Sequence, residues 1–167
     1  METIKIPYSL LGINNIFGFT PLNMDFTKSF EITNSIELIT ECGISIPCKS
    51  DDYISFDDNR IIHDKALWDT GATHTWVSKS LIKRLNLQPL GSTEAESLEG
   101  VGKYNYYRVN LYLPNDVYLF NQRVIEFKDD IGSKYKIIIG MNIISLGNFS
   151  INRTDSGINM RFDISHL

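Results

Sequence analysis

Two stretches of the sequence follow one plan: three apolar residues, a glycine shortly after, then a short helical turn. In the first, Ala66-Leu67-Trp68 runs into Asp69-Thr70-Gly71; in the second, Ile137-Ile138-Ile139 runs into Gly140. Apolar triplets bounded by turn residues suit buried strands better than helices, so each copy predicts a strand whose end is broken by glycine. The two glycines lie about seventy residues apart, which points to a weak internal duplication within one domain. Only the first copy sets an acid and a hydroxyl before its glycine.

The rest of the chain is made of short β-rich runs between turn residues. Ile36 to Ile39 and Ile44 to Ile46 read as two strands, broken by Gly43 and ended by Pro47. Asp51 to Arg60 is acidic, carries a turn at Asp57-Asp58-Asn59, and reads as a hairpin or exposed loop. Val109, Leu111 and Leu113 alternate as in a half-buried strand that stops at Pro114. Val117 to Phe120 and Arg123 to Phe127 predict a hairpin around Asn121-Gln122, and Met160, Phe162 and Ile164 alternate again. Helical signals are confined to two places. Ser78 can cap a turn carrying Leu81, Ile82 and Leu85 before Pro89, and Asn142 to Leu146 is closed by Gly147. The expected class is all-β with two short helical turns.

Composition narrows the function classes. With 167 residues the chain supports one domain with a real core. A net charge of −4 without a Lys/Arg cluster gives nothing to hold a phosphate backbone, so no nucleic-acid partner is expected. The apolar stretch Tyr8 to Phe19 is interrupted by Asn14 and Asn15. It makes a weak signal peptide and no membrane span, and a cytoplasmic location is expected by default. Cys42 and Cys48 read as reduced, partly buried thiols, with a small-loop disulfide as the alternative; without a nearby histidine they make a poor zinc site. His63, His74 and His166 are scattered and read as surface or structural residues. No metal or organic cofactor is expected. Tyr104, Tyr106 and Tyr107 read as strand packing, and Asp129-Asp130 as a solvated turn. Asn148 and Asn152 open glycosylation sequons, which matter only in a secreted chain.

Asp69-Thr70-Gly71-Ala72-Thr73 carries the sharpest chemical signal. A strand that ends in a glycine turn exposes its acid at a sheet edge instead of burying it. The same residues would also suit an Asx-turn, in which Asp69 bonds its own backbone to shape the loop.

Three segments, in order, resemble the retropepsin family of aspartic peptidases, half-size relatives of pepsin. Ala66-Leu67-Trp68-Asp69-Thr70-Gly71-Ala72-Thr73 resembles the catalytic strand and loop. Leu98-Glu99-Gly100-Val101-Gly102-Lys103-Tyr104 resembles the tip of the flap, the hairpin that folds over substrate. Ile137-Ile138-Ile139-Gly140-Met141-Asn142-Ile143-Ile144 resembles the second-half motif. The resemblance covers about Ile44 to Ile164. It departs from the family at Trp68, bulkier than the usual residue before the acid, which either narrows a subsite or fills core. It departs again at Asn142, where many members carry aspartate.

The resemblance implies a retropepsin-like half-barrel active as a two-fold homodimer, and a polypeptide substrate. Asp69, Thr70 and Gly71 would be catalytic: Asp69 as general base in one protomer and general acid in the other, Thr70 locking the loops across the axis, Gly71 permitting the turn. Ala72, Thr73, Gly100, Val101 and Gly102 would bind substrate, the glycines giving the flap tip its freedom to move. On this plan residues 31–167 form the peptidase domain. Residues 1–30 form an extension that could be an inhibitory leader, an extra strand or a strap on the dimer. The competing expectation is a catalytically silent or latent dimeric β-module that binds extended peptides or a protein partner.

Overall fold

The computed structural model describes residues 27–34, 37–47, 59–97, 100–128, 134–155 and 157–165, with backbone alone for 27–34, 97 and 165. Asp57-Asp58, Cys48, Asp129-Asp130, His166, Leu98, Glu99 and residues 1–26 of the extension lie outside these. Among the described residues no helix is long and apolar enough to cross a membrane.

Among the described residues, ten strands and two short helices are ordered β1 (Thr27–Asn34), β2 (Ile39–Ser45), β3 (Ile62–Trp68), β4 (Trp76–Ser78), α1 (Lys79–Arg84), β5 (Gly91–Ser97), β6 (Gly100–Leu113), β7 (Val117–Phe127), β8 (Ile137–Ile139), α2 (Met141–Ile144), β9 (Asn148–Thr154) and β10 (Gly157–Ser165). Seven strands form one sheet in the order β2-β3-β8-β4-β7-β6-β5. β2 also pairs with β6, Ile44 opposite Leu111, which curls the sheet back on itself. The fold is all-β, as the punctuation of the sequence implies, and barrel-like, as the resemblance implies. The remaining three strands form a separate sheet, β1-β10-β9, in which residues 27–34 pair antiparallel with β10.

The central feature is the pairing of β3 with β8. They run parallel, Ala66 opposite Ile137 and Trp68 opposite Ile139, so the two copies of the sequence plan lie side by side. β4 then pairs with β8 on its other edge. One main core gathers Ala66, Trp68, Val77, Ile137, Ile139 and Phe162, all buried. Both helices are where the apolar spacing puts them: the Ser78 side chain accepts from the Leu81 amide at 3.3 Å and caps α1, and Ile143 and Ile144 bury α2.

Four local expectations need correction. Gly43 does not break a strand; it lies inside β2, opposite His63. A Cβ there would stand 2.6 Å from Ile61 Cγ2 and 3.0 Å from Tyr112 Cβ, so glycine answers a close approach, not a turn. Val109 to Leu113 is not half-buried: every residue of it is buried, because Tyr112 packs with Ile61 on the opposite side from Leu111 and Leu113. Asn121-Gln122 is not a hairpin, since β7 runs through it. Asn121, at φ 56°, sits where the β6–β7 register shifts, and its amide donates to Asn110 Oδ1 at 2.9 Å; this is a bulge. The hairpin turn falls instead at Asn115 and Asp116, both at positive φ. Cys42 is fully rather than partly buried, a free thiol whose burial pushes its pKa up to about 12.

Candidate active site

Asp69 is presented by a strand end held from both sides. The Trp68 amide donates to Leu38 O at 2.8 Å and the Asp69 amide to Ile139 O at 2.9 Å. The chain then turns tightly, with the Ala72 amide donating to Asp69 O at 3.2 Å. Within this turn the Gly71 amide donates to Asp69 Oδ1 at 2.8 Å. That is the Asx-turn geometry, and it also fixes the carboxylate through a charge-assisted bond. The Asp69 side chain stays half-buried while Thr70 and Gly71 are exposed.

The loops after β3 and β8 cross and lock. Ala72 O accepts from the Met141 amide at 2.7 Å, and Thr73 O from the Asn142 amide at 3.1 Å. Buried Thr75 accepts the Gly140 amide at 3.1 Å and donates its hydroxyl to Asn142 Oδ1 at 2.8 Å. Asn142 uses its other end to donate to Arg123 O at 3.3 Å. An aspartate could accept from Thr75 but, ionised, could not donate to Arg123, so the amide is suited to this site. Gly140 is required by contact: a Cβ would lie 2.2 Å from His74 O.

Trp68 turns away from the site. Its indole stacks on Phe149 with centroids 5.6 Å apart and planes 8° apart, meets Phe162 at 5.1 Å, and donates Nε1–H to Thr40 Oγ1 at 3.0 Å. Of the two expectations for this residue, filling core is the one realised. Crowding of the cleft by Trp68, one way to a silent module, does not occur.

Beside Asp69 lies a cavity of about 570 Å³. Gly71, Ala72, Thr73 and His74 form one side of it, and Trp76 and Ile138 line it from β4 and β8. Ala95 and Glu96 of β5 and Tyr104 of β6 form the opposing wall, with Phe127 and Lys128 at the end of β7. β5 and β6 make the hairpin expected of the flap motif, Ser97 opposite Gly100. At its tip Gly100 holds φ 106°, a conformation that side chains oppose, and Val101 is 75% exposed.

Of the residues singled out in the sequence, Asp69, Gly71, Ala72 and Thr73 thus share the cavity. Thr70 sits on the exposed turn, and Gly100, Val101 and Gly102 lie on the hairpin without lining the cavity. Sequence reasoning missed His74, Trp76, Ala95, Glu96, Tyr104, Phe127, Lys128 and Ile138. His74 and Tyr104, read as structural or packing residues, face the cavity instead. The flap motif held one usable signal: antiparallel pairing places Ala95 opposite Gly102 and Glu96 opposite Val101.

A second hollow of about 530 Å³ lies at the β9–β10 turn, lined in part by Arg153 and Asp155, and shares no residue with the Asp69 loop.

No protein-family model matches the chain, and no curated protein matches it. Solved structures do. The chain is similar to a retropepsin-like aspartic protease from Rickettsia conorii, with a TM-score of 0.56 and 11% identity over 91% of this chain and all of that one. It is also similar to the EIAV protease complexed with the inhibitor HBY-793, with a TM-score of 0.47 and 15% identity over 68% of this chain and 92% of that one. The chain has a retropepsin-like fold.

Proposed function

We propose that the chain is an aspartic endopeptidase that hydrolyses peptide bonds with water activated between two Asp69 carboxylates, one from each protomer of a homodimer. The observation that carries this reading is the Asp69 carboxylate, anchored by the Gly71 amide and facing a cavity walled by a glycine-tipped hairpin. One Asp69 carboxylate per chain in a retropepsin-like half-barrel is half of a site. A two-fold axis through two such loops supplies the other half.

Two carboxylates a few ångströms apart cannot both ionise, so they hold one proton between them and titrate as a pair. The ionised member takes a proton from water as it attacks the scissile carbonyl carbon. The protonated member gives its proton to the carbonyl oxygen. Collapse of the tetrahedral species breaks the C–N bond, and a proton passes to the leaving amine. Thr70, exposed on the turn, reaches across the axis to the opposite loop. Gly71, Ala72 and Thr73 lie along the substrate backbone, and Gly100, Val101 and Gly102 close over it. The substrate is a polypeptide bound as an extended strand.

The surface supports a dimer. Among the described residues β9 has a strand partner on one edge only, an edge suited to pairing. Ile151 on it and Leu146 just ahead of it are exposed large apolar side chains, at 49% and 47%.

The test incubates purified protein with a proteome-derived peptide library from pH 4 to 7, reading new termini by mass spectrometry beside the Asp69→Asn variant. New termini from the parent and none from the variant are expected. Equal cleavage by both would remove Asp69 from the chemistry.

A further inference from the structure

Two arginines separated in the chain meet on the sheet. β6 pairs with β7 so that Arg108 stands directly opposite Arg123. Residues paired in this way point their side chains to one face, with Cβ atoms about 5 Å apart. Tyr107 and Val109, on either side of Arg108, join the main core, so Arg108 points away from it. Tyr106 and the cavity-lining Tyr104 share that outward face. Both arginines are exposed, and both are held. Arg108 Nη1 donates to Asn121 O at 2.7 Å, and the Arg123 guanidinium carbon lies 4.2 Å from the centre of the Tyr106 ring. Gly91, opposite Tyr106 in β5, leaves room for that ring, since a Cβ there would stand 2.8 Å from Tyr106 Cε1. Among the described residues neither guanidinium has an acid partner.

Like charges directly opposite in a sheet cost stability, and here nothing within the described fold offsets them. Each guanidinium carries several donors in a fixed fork. Asn121 O takes one donor of Arg108, and the Tyr106 ring covers a face of Arg123 without taking a donor. The remaining edges suit carboxylates, which such forks grip through two parallel bonds. In an extended chain, side chains two residues apart lie on one side at a spacing of about 7 Å, a span that two neighbouring arginines cover. We propose that Arg108 and Arg123, with Tyr106 positioning Arg123, form a docking site for an acidic stretch of polypeptide bearing Asp or Glu at alternate positions. The site lies outside the cavity: about 13 Å of strand separates Arg108 from Tyr104. The chain's net charge of −4 exerts no general pull on acidic polypeptide, so the selectivity rests on this pair. The inference goes beyond the peptidase reading, because the contact needs neither Asp69 nor a second chain.

The test titrates fluorescein-labelled peptides into the full chain and reads fluorescence anisotropy, with Asp69→Asn present to keep cleavage out of the measurement. One peptide carries Asp at alternate positions; its counterparts carry Asn or Lys there. The Asp peptide should bind about tenfold tighter than the Asn peptide in about 50 mM salt, and lose most of that lead in about 0.5 M salt. Arg108→Gln together with Arg123→Gln should bring the Asp peptide down to the level of the Asn peptide and leave the Asn peptide where it was. Arg108→Glu together with Arg123→Glu should turn the preference over, so that the Lys peptide gains what the Asp peptide loses. Equal binding of the Asp and Asn peptides, or an Asp preference that survives both pairs of replacements, overturns the proposal. With Asp69 intact, a chain that binds the Asp peptide but cleaves no library peptide sinks the peptidase reading and leaves this site standing. Cleavage by a chain that binds the Asp and Asn peptides equally does the reverse.

Discussion

The backbone amide of Asp69 donates to the carbonyl of Ile139 at 2.9 Å, and that bond joins the two halves of the duplicated plan. Just beyond it, the Met141 amide reaches Ala72 O and the Asn142 amide reaches Thr73 O. The position of the candidate catalytic acid is therefore set by residues about seventy places away in the chain. Neither half could hold the loop alone, because each supplies donors whose acceptors lie in the other.

Gly140 tests that crossing. An alanine Cβ would meet His74 O at 2.2 Å and Ala72 O at 2.8 Å, both backbone atoms that cannot rotate aside. Gly140→Ala should cost about 3 kcal/mol or more, as severe overpacking does, measured by urea unfolding. Gly71→Ala offers a contrast, since its Cβ would meet only Asp69 Oδ1, at 3.1 Å. It should unfold near the parent midpoint yet cleave peptides much more slowly, because what it displaces is the carboxylate.

Thr75 serves two partners from a fully buried site. Thr75→Val keeps the shape but leaves the Gly140 amide and Asn142 Oδ1 without their hydroxyl, at about 1–3 kcal/mol for such unpaired groups. Thr75→Ser restores both bonds and should recover most of that loss in the same unfolding experiment. If Val and Ser behave alike, the hydroxyl is not what holds the crossing.

Much of this was legible in the sequence for physical reasons. Ala66 to Trp68 and Ile137 to Ile139 were readable because buried parallel strands are continuously apolar, and α1 because Ser78, Leu81 and Ile82 carry both cap and face. What failed to show depends on tertiary approach. Gly43 looked like a breaker, yet it answers the proximity of Ile61 and Tyr112. Asn121-Gln122 looked like a turn, yet Asn110, eleven residues back, satisfies its backbone in a bulge. Trp76 was hidden as a site residue because β4 has only three residues, too few to show which side faces the cleft.

The proposed dimerisation through β9 should be broken at Ile151, which lies opposite Met160 in β10 and is half exposed. Ile151→Glu puts a charge on a face that a second copy would desolvate, at a cost of several kcal/mol to association. Sedimentation should show a folded monomer where the parent is a dimer, and peptide cleavage should vanish with the dimer. A monomeric variant that still cleaves would rule out a site shared between two chains.

Glu37, just ahead of β2, accepts from Lys134 and from the Tyr135 hydroxyl, joining it to the segment that enters β8. The Lys134 bond, then the Tyr135 bond, holds the Glu37 carboxyl below its ordinary 4.5. Glu37 also holds the Lys134 ammonium above its ordinary 10.5. A depressed carboxylate contributes stability that is present above its unfolded value and lost as pH falls through the folded one. The tie should therefore act at pH 6 and fade below about 4.5, within the acid range where a carboxylate pair would work. Because both groups are on the surface, the effect should be small and screened by salt. In thermal melts Glu37→Gln should trail the parent at pH 6 in low salt and join it at pH 3 or in 0.5 M salt, to use about the ionic strength at which exposed pairs are screened. A gap that persists at pH 3 would mean that Glu37 acts there through packing or a neutral hydrogen bond and not through its charge.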